Sequence, residues 1–234
     1  MPATSKEFIF AVIKGDTLAV ERSLAEGIDP NVTDQATPQG DGNTALMWAA
    51  SEGHMDIAQH LIDQGADVNA TNGAQYSALM FAVESDRGPM ISLLLDQGAD
   101  IRVRNPYGET PLMIMARQGQ TAIVKQLLAL GAEIHATNKI GDTALYLATE
   151  RGHLYTAKAL LDLGADPNTA NLGGWTPLMM AAAQGNLEMI TLLLEQGADF
   201  RPQNRWGATA LSEAHKSFRA RQATELLIQA GATE

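Results

Sequence analysis

Between Asn105 and Thr137 the apolar residues fall into two short clusters, each closed by a glycine. Thr110-Pro111-Leu112 predicts a helix start: threonine caps orphan N–H groups, and proline needs no N–H in a first turn. The first helix carries Met113, Ile114, Met115 and Ala116, and Gly119 stops it through a left-handed turn. A second helix carries Ile123, Val124, Leu127 and Leu128, whose spacing makes one face apolar, and Gly131 ends it. The residues after Gly131 form an extended turn into the next stretch. Neither helix exceeds about ten residues, and isolated helices below roughly 12–15 residues are marginal in water. Such a pair must bury its apolar face against neighbours.

The neighbours are copies of itself. Gly-Ala recurs at Gly65, Gly98, Gly131, Gly164 and Gly197, every 33 residues, and again at Gly231. A hydroxyl residue followed by Ala or Pro and then Leu keeps the same period at Thr44, Ser77, Thr110, Thr143, Thr176 and Thr209. Hydroxyl and glycine stand 21 residues apart in five repeats and 22 in the last. Two landmarks in phase at this period predict a stacked array, in which each repeat packs on the next.

The pattern resembles the ankyrin repeat on Thr176-Pro177-Leu178, Gly53-His54, Leu61-Ile62 and Gly65-Ala66-Asp67-Val68-Asn69. The resemblance covers nearly the whole chain. It implies an all-α fold: an ankyrin-repeat solenoid of helix–loop–helix units with β-hairpin-like loops projecting to one side. The chain then reads as one ankyrin-repeat domain over residues 1–234, with about seven repeats including caps. A degenerate N-terminal cap occupies 5–34 and a loop insertion 35–40. Five internal repeats fill 41–203, and a C-terminal cap 204–234 carries Glu213, Lys216, Arg219 and Arg221 where apolar residues are expected. The histidine that follows Thr-Pro-Leu in the family is replaced throughout, by Met47, Met80, Met113, Tyr146, Met179 and Ser212. Its hydrogen bonds are not expected here, and methionine is expected to fill the space by packing.

Composition narrows the partner. Sixteen basic and 27 acidic residues leave a formal charge of -11, which disfavours nucleic acid. Cysteine is absent, so there is neither a disulfide framework nor a cysteine metal site. No signal-like or membrane-spanning apolar run stands out, so a cytoplasmic protein that binds no membrane is the expectation.

Chemistry-bearing motifs are not found. His54 and His153 occupy the Gly-His position of the repeat and read as structural. His60 is poorly spaced for shared ligation with His54, and no His-Glu-x-x-His run occurs. Asp41-Gly42-Asn43 lacks the rest of a calcium loop. Phosphate-cradling glycine motifs, a Gly-x-Ser-x-Gly elbow and a thiol nucleophile are all missing. No catalytic residue, cofactor or metal is expected, and an enzyme or metal-binding protein is the remote alternative.

The family resemblance further implies a partner-facing surface made of hairpin loops and first helices. Carried over by phase, it comprises Asp41, Asn43, Ser51 and Glu52, then Ala74, Tyr76, Glu84 and Ser85. Arg104, Pro106, Tyr107, Glu109, Arg117 and Gln118 follow, then Lys139, Ile140, Asp142, Glu150 and Arg151. Leu172, Trp175, Ala183 and Gln184 come next, and the cap adds Arg205, Trp206, Lys216 and Ser217. Of these, Tyr76, Glu84, Arg104, Tyr107, Arg117, Ile140, Arg151, Leu172, Trp175, Arg205 and Trp206 are the expected partner contacts, because aromatic and arginine side chains dominate interface hot spots. Hairpin-to-hairpin packing is the competing role for the aromatic members. Acids and bases balance six against six on this surface, so a basic partner does not follow from the overall charge. Seven layers at roughly 8–10 Å spacing would give a groove on the order of 55–65 Å. The expected function is a non-catalytic protein-binding scaffold, monomeric without its partner. A dedicated inhibitor or regulatory subunit of one enzyme, toxin or effector is the alternative.

Overall fold

Hydroxyl residues and glycines at fixed spacing punctuate the helices of the computed structural model, which describes residues 4–34 and 42–233. The expected insertion at 35–40, and Asp41, lie outside the described residues. Residues 1–106 and 107–234 form two compact units. The first holds α1 (Ser5–Lys14), α2 (Thr17–Ala25), α3 (Ala45–Glu52), α4 (Met55–Asp63), α5 (Ala78–Glu84) and α6 (Gly88–Asp96). The second holds α7 (Pro111–Gln118), α8 (Thr121–Ala129), α9 (Ala144–Glu150), α10 (Leu154–Asp162), α11 (Pro177–Gln184), α12 (Leu187–Glu195), α13 (Ala210–Ala214) and α14 (Ala220–Gln229). Within each unit the first helix of a repeat packs on the first helix of the next, as α3 does on α5 and α11 on α13. The second helices form a parallel layer through contacts such as α8 with α10 and α12 with α14.

Each landmark of the period has a physical task. The hydroxyls of Thr44, Thr110, Thr143, Thr176 and Thr209 accept the N–H three residues on, at 3.2–3.3 Å, and so cap the first helices. Gly131, at φ 88°, lets the chain leave α8 so that the Ala132 N–H returns to the Leu127 carbonyl at 3.0 Å. The same return bond follows the glycines at 65, 98, 164 and 197, and in each case the alanine methyl is buried. Gly-Ala is therefore a helix stop and a small buried contact in one dipeptide.

The core is built from the first helices and the inner faces of the second helices. Leu46, Met47, Leu79, Met80, Leu112, Met113, Leu178 and Met179 are almost wholly buried. The methionines that replace the family histidine are thus packing residues, as expected. His54 and His153 bind the repeat before them: each places Nε2 against a carbonyl at the end of the preceding first helix, Ile13 at 3.2 Å and Arg117 at 3.0 Å. Arg87 reaches the Ser51 carbonyl in the same way at 3.1 Å. In the cap, Glu213 is buried and takes the Lys216 ammonium at 2.8 Å.

A further clamp joins the loops after the second helices. Asn31, Asn69 and Asn168 each donate to the carbonyl of the next repeat glycine and accept the N–H two residues beyond it. Arg102, His135 and Arg201 stand where this asparagine would recur.

The expected hairpins are short. Among the described residues only single bridges form, Thr33 with Thr44 and Thr71 with Ser77. In the second unit the tips join one another instead. Lys139 N donates to Tyr107 O at 3.0 Å, Leu172 N to Ile140 O at 2.9 Å and Arg205 N to Gly173 O at 3.0 Å. This approach demands glycine beside each tip. A Cβ on Gly141 would fall 2.6 Å from Leu172 N, and its φ of 85° already disfavours a side chain. In the first unit Gln75 holds the equivalent left-handed position at φ 64°.

These positions give opposite predictions in urea denaturation. Gly141→Ala should destabilise the protein by about 2 kcal/mol or more, from backbone strain and the clash together. Gln75→Gly should stabilise it by about 0.5–1 kcal/mol, because the strain of a left-handed glutamine is relieved.

Candidate partner-binding surface

An asparagine fixes the shape of each loop at the tips. Asn171 Oδ1 accepts from Gly173 N at 2.9 Å and Trp175 N at 3.0 Å, while its Nδ2 donates to Asp142 Oδ1 of the preceding repeat at 2.9 Å. Asn138 likewise accepts from the backbone N–H groups of Ile140 and Asp142, and Asn204 from those of Trp206 and Ala208. Asn72 serves the first unit, accepting from Ala74 and Tyr76 and donating to Asn43 at 2.7 Å. These asparagines, with Asn105, are themselves 33 residues apart. Their period was present in the sequence, but polar residues in loops do not announce burial.

That network corrects the exposed surface expected from the sequence. Asn43, Glu109 and Asp142 are buried rather than outward-facing. Asp142 faces the asparagines, and Glu109 takes the Arg117 guanidinium at 3.2 Å. Arg117 is consequently half-buried and tied within its own repeat. A buried polar group without partners would be costly; Asp142 is satisfied by asparagine amides and Glu109 by a guanidinium.

Four of the expected apolar contacts are open to solvent in the second unit: Tyr107, Ile140, Leu172 and Trp206. Trp206 is 74% exposed and Tyr107 70%, values far beyond those of packed aromatic side chains. Trp175 is half-buried against its hairpin. A Cβ on Gly173 would lie 3.2 Å from Trp175 Cδ1 and 3.7 Å from Trp206 Cζ3, so both indoles approach this glycine closely and leave no room for a side chain. In the first unit Tyr76 is committed to packing, its ring 5.5 Å from that of Phe81 and its hydroxyl donating to Glu84 at 2.8 Å. Glu84 and Arg104 are exposed.

Burial of Glu109 and Asp142 also changes the charge of the second unit's surface. Lys139, Arg151, Arg205 and Lys216 remain exposed there. Arg151 lies 3.6 Å from Glu150, and Lys216 pairs with Glu213. Lys139 and Arg205 are the exposed cations of this surface outside those pairs, although the chain as a whole is strongly acidic.

Phe218 is an exposed aromatic that sequence reasoning passed over; the Arg219 guanidinium lies 5.3 Å from its ring centroid. The signal was available, because Phe218 stands where the period places Gly119, Gly152 and Gly185. Among the described residues no group of three or more His, Asp or Glu could hold a metal ion. Nor is any helix among them long and apolar enough to cross a membrane.

The family model "Ankyrin repeats (3 copies)" matches residues 8–105, 89–171 and 166–233. The chain belongs to the ankyrin repeat family. Among solved structures, the ankyrin repeat domain of human ASB11 is similar over 97% of this chain and 98% of its own, at 26% identity and a TM-score of 0.81. An ankyrin repeat domain from Acinetobacter baumannii AYE matches 80% of this chain and 98% of its own, at 31% identity and a TM-score of 0.75. Ankyrin repeat domains are generally protein–protein interaction modules.

One departure from the ankyrin repeat pattern has a titration signature. Tyr146 replaces the family histidine and is buried beneath this surface. Burial first, then the Asp142 and Glu150 carboxylates, hold its phenol above the ordinary 10.0, against a smaller opposing effect of the Asn171 hydrogen bond. The native state therefore keeps this proton at a pH where the unfolded chain loses it. Its contribution to stability is complete below about pH 10 and lost as pH rises further. Urea midpoints measured from pH 8 to 11 should fall above pH 10, and fall less steeply in Tyr146→Phe.

Proposed function

We propose that this ankyrin repeat chain is a non-catalytic binding module whose partner docks on the hairpin tips and first helices of the second unit. The observation that carries this reading is the row Tyr107, Ile140, Leu172 and Trp206, exposed on tips that successive backbone hydrogen bonds lock together. A soluble fold gains nothing from solvating four large apolar side chains, whereas a docked protein would bury them at roughly 25 cal/mol per Å². Rigid presentation lowers the ordering cost of association. Trp175 and Trp206, on either side of Gly173, form the central anchor.

Lys139 and Arg205 flank the row, so the partner surface that fits is apolar at its centre and acidic at its rim. This fit replaces the neutral surface expected from sequence. Glu84 and Arg104 on the first unit, with Arg117 and Arg151 on the second, are peripheral contacts in this reading. Arg117 acts mainly through its hold on Glu109.

Capture of the native partner from the source cell tests the placement. Trp206→Ala together with Tyr107→Ala should lower recovery tenfold or more, since each anchor is worth about 1–2 kcal/mol or more. Helical content and the urea midpoint should stay near those of the wild type, because both side chains are largely solvated. Undiminished recovery from the double variant would place the partner elsewhere.

A further inference from the structure

The second unit has another unpartnered surface, on its layer of second helices. There α10, α12 and α14 together line a groove of about 570 Å³. Leu187 and Leu192 of α12, Leu154 of α10 and Leu226 of α14 are its aliphatic lining. Tyr155 of α10 also lines it, 82% exposed. The equivalent positions of other repeats hold Asp56, Pro89, Ala122 and Glu188, so the helix does not require an aromatic there. An exposed tyrosine beside an open apolar groove is unrewarded by folding.

The charges around the groove are uneven. Lys158 is paired with Asp162 at 3.2 Å, and Arg221 with Glu225 at 3.1 Å. Glu188 and Glu195, both exposed on α12, form no ion pair among the described residues. They lie seven residues apart, two helical turns or about 10 Å along the groove. Thr191 and the edge of Leu192 lie between these two carboxylates on α12, and Tyr155 and Leu226 place apolar surface beside the line they define.

We propose that this groove is a second protein-docking site, and that its occupant is a basic amphipathic helix. Two cationic side chains of that helix, spaced i and i+7, meet Glu188 and Glu195, and an apolar stripe between them covers Leu192, Leu226 and the Tyr155 ring. Two ion pairs of equal spacing fix the position of the helix and the line of its axis, which a single ion pair does not. The site is independent of the hairpin-tip surface and does not rest on that reading.

The test uses the full chain and a fluorescent peptide of about 18 residues with lysines at i and i+7 and leucines at i+3 and i+4. Wild-type protein should bind this peptide in an anisotropy titration, more tightly than a scrambled isomer. Glu188→Lys with Glu195→Lys should weaken binding tenfold or more, and a peptide with glutamates in place of the lysines should then bind that variant. Tyr155→Ser should also weaken binding, while Trp206→Ala should leave it unchanged. Circular dichroism and the urea midpoint establish that each variant is folded. Equal binding of the designed and scrambled peptides, or no change on charge reversal, would overturn the proposal. So would a self-associated wild type in sedimentation that Tyr155→Ser converts to monomer, since the groove would then belong to a second copy.

Discussion

Every helix among the described residues has ten residues or fewer, and helices of that length do not hold themselves together in water. The structure depends on the repair of this deficit by neighbours. Leu112 and Met113 are buried on α7, which packs against α8 and α9, and Leu178 and Met179 on α11, which packs against α9, α12 and α13. Side-chain bonds to backbone supplement the packing, as His153 to the Arg117 carbonyl shows. Since each repeat needs its neighbours, the polar atoms at their junctions must be satisfied too. That need draws Asp142 and Glu109 inward and leaves the tips above them to be apolar or basic.

The surface available for binding follows from these junctions. Glycine at 141 lets successive tips approach within hydrogen-bonding distance, and the asparagines lock each loop before any partner arrives. Tyr107, Ile140 and Trp206 are then presented by backbone that has little freedom left to lose. On the opposite layer, side chains such as Tyr155 stand on helices whose inner faces already serve the core. The two surfaces differ in sign as well: the tips carry Lys139 and Arg205, the groove Glu188 and Glu195.

Much of this could be read before any coordinates. The 33-residue period located the helices, and hydroxyl caps and Gly-Ala stops stand where the pattern placed them. Periodicity is a property of backbone and packing, and so it survives translation into structure. What failed were statements about the direction of individual loop side chains. Asp142 and Trp175 occupy the same position in successive repeats, one place before the capping threonine, yet the first is buried in an amide network and the second half-exposed. The difference lies in the partner each finds across the junction, which phase alone does not encode. The count of six acids against six bases likewise took no account of the burial of Glu109 and Asp142. Phe218 was overlooked because attention to residues that keep the period hides those that break it.

Photocrosslinking in the source cell tests the central claim most directly, with a benzophenone side chain placed at Ile140, at Trp206 and, as a control, at the exposed Asp166. Residues 140 and 206 should join the same protein, and residue 166 should not. Adducts of equal yield from residue 166, or none from either tip, would contradict a partner seated on the hairpin row.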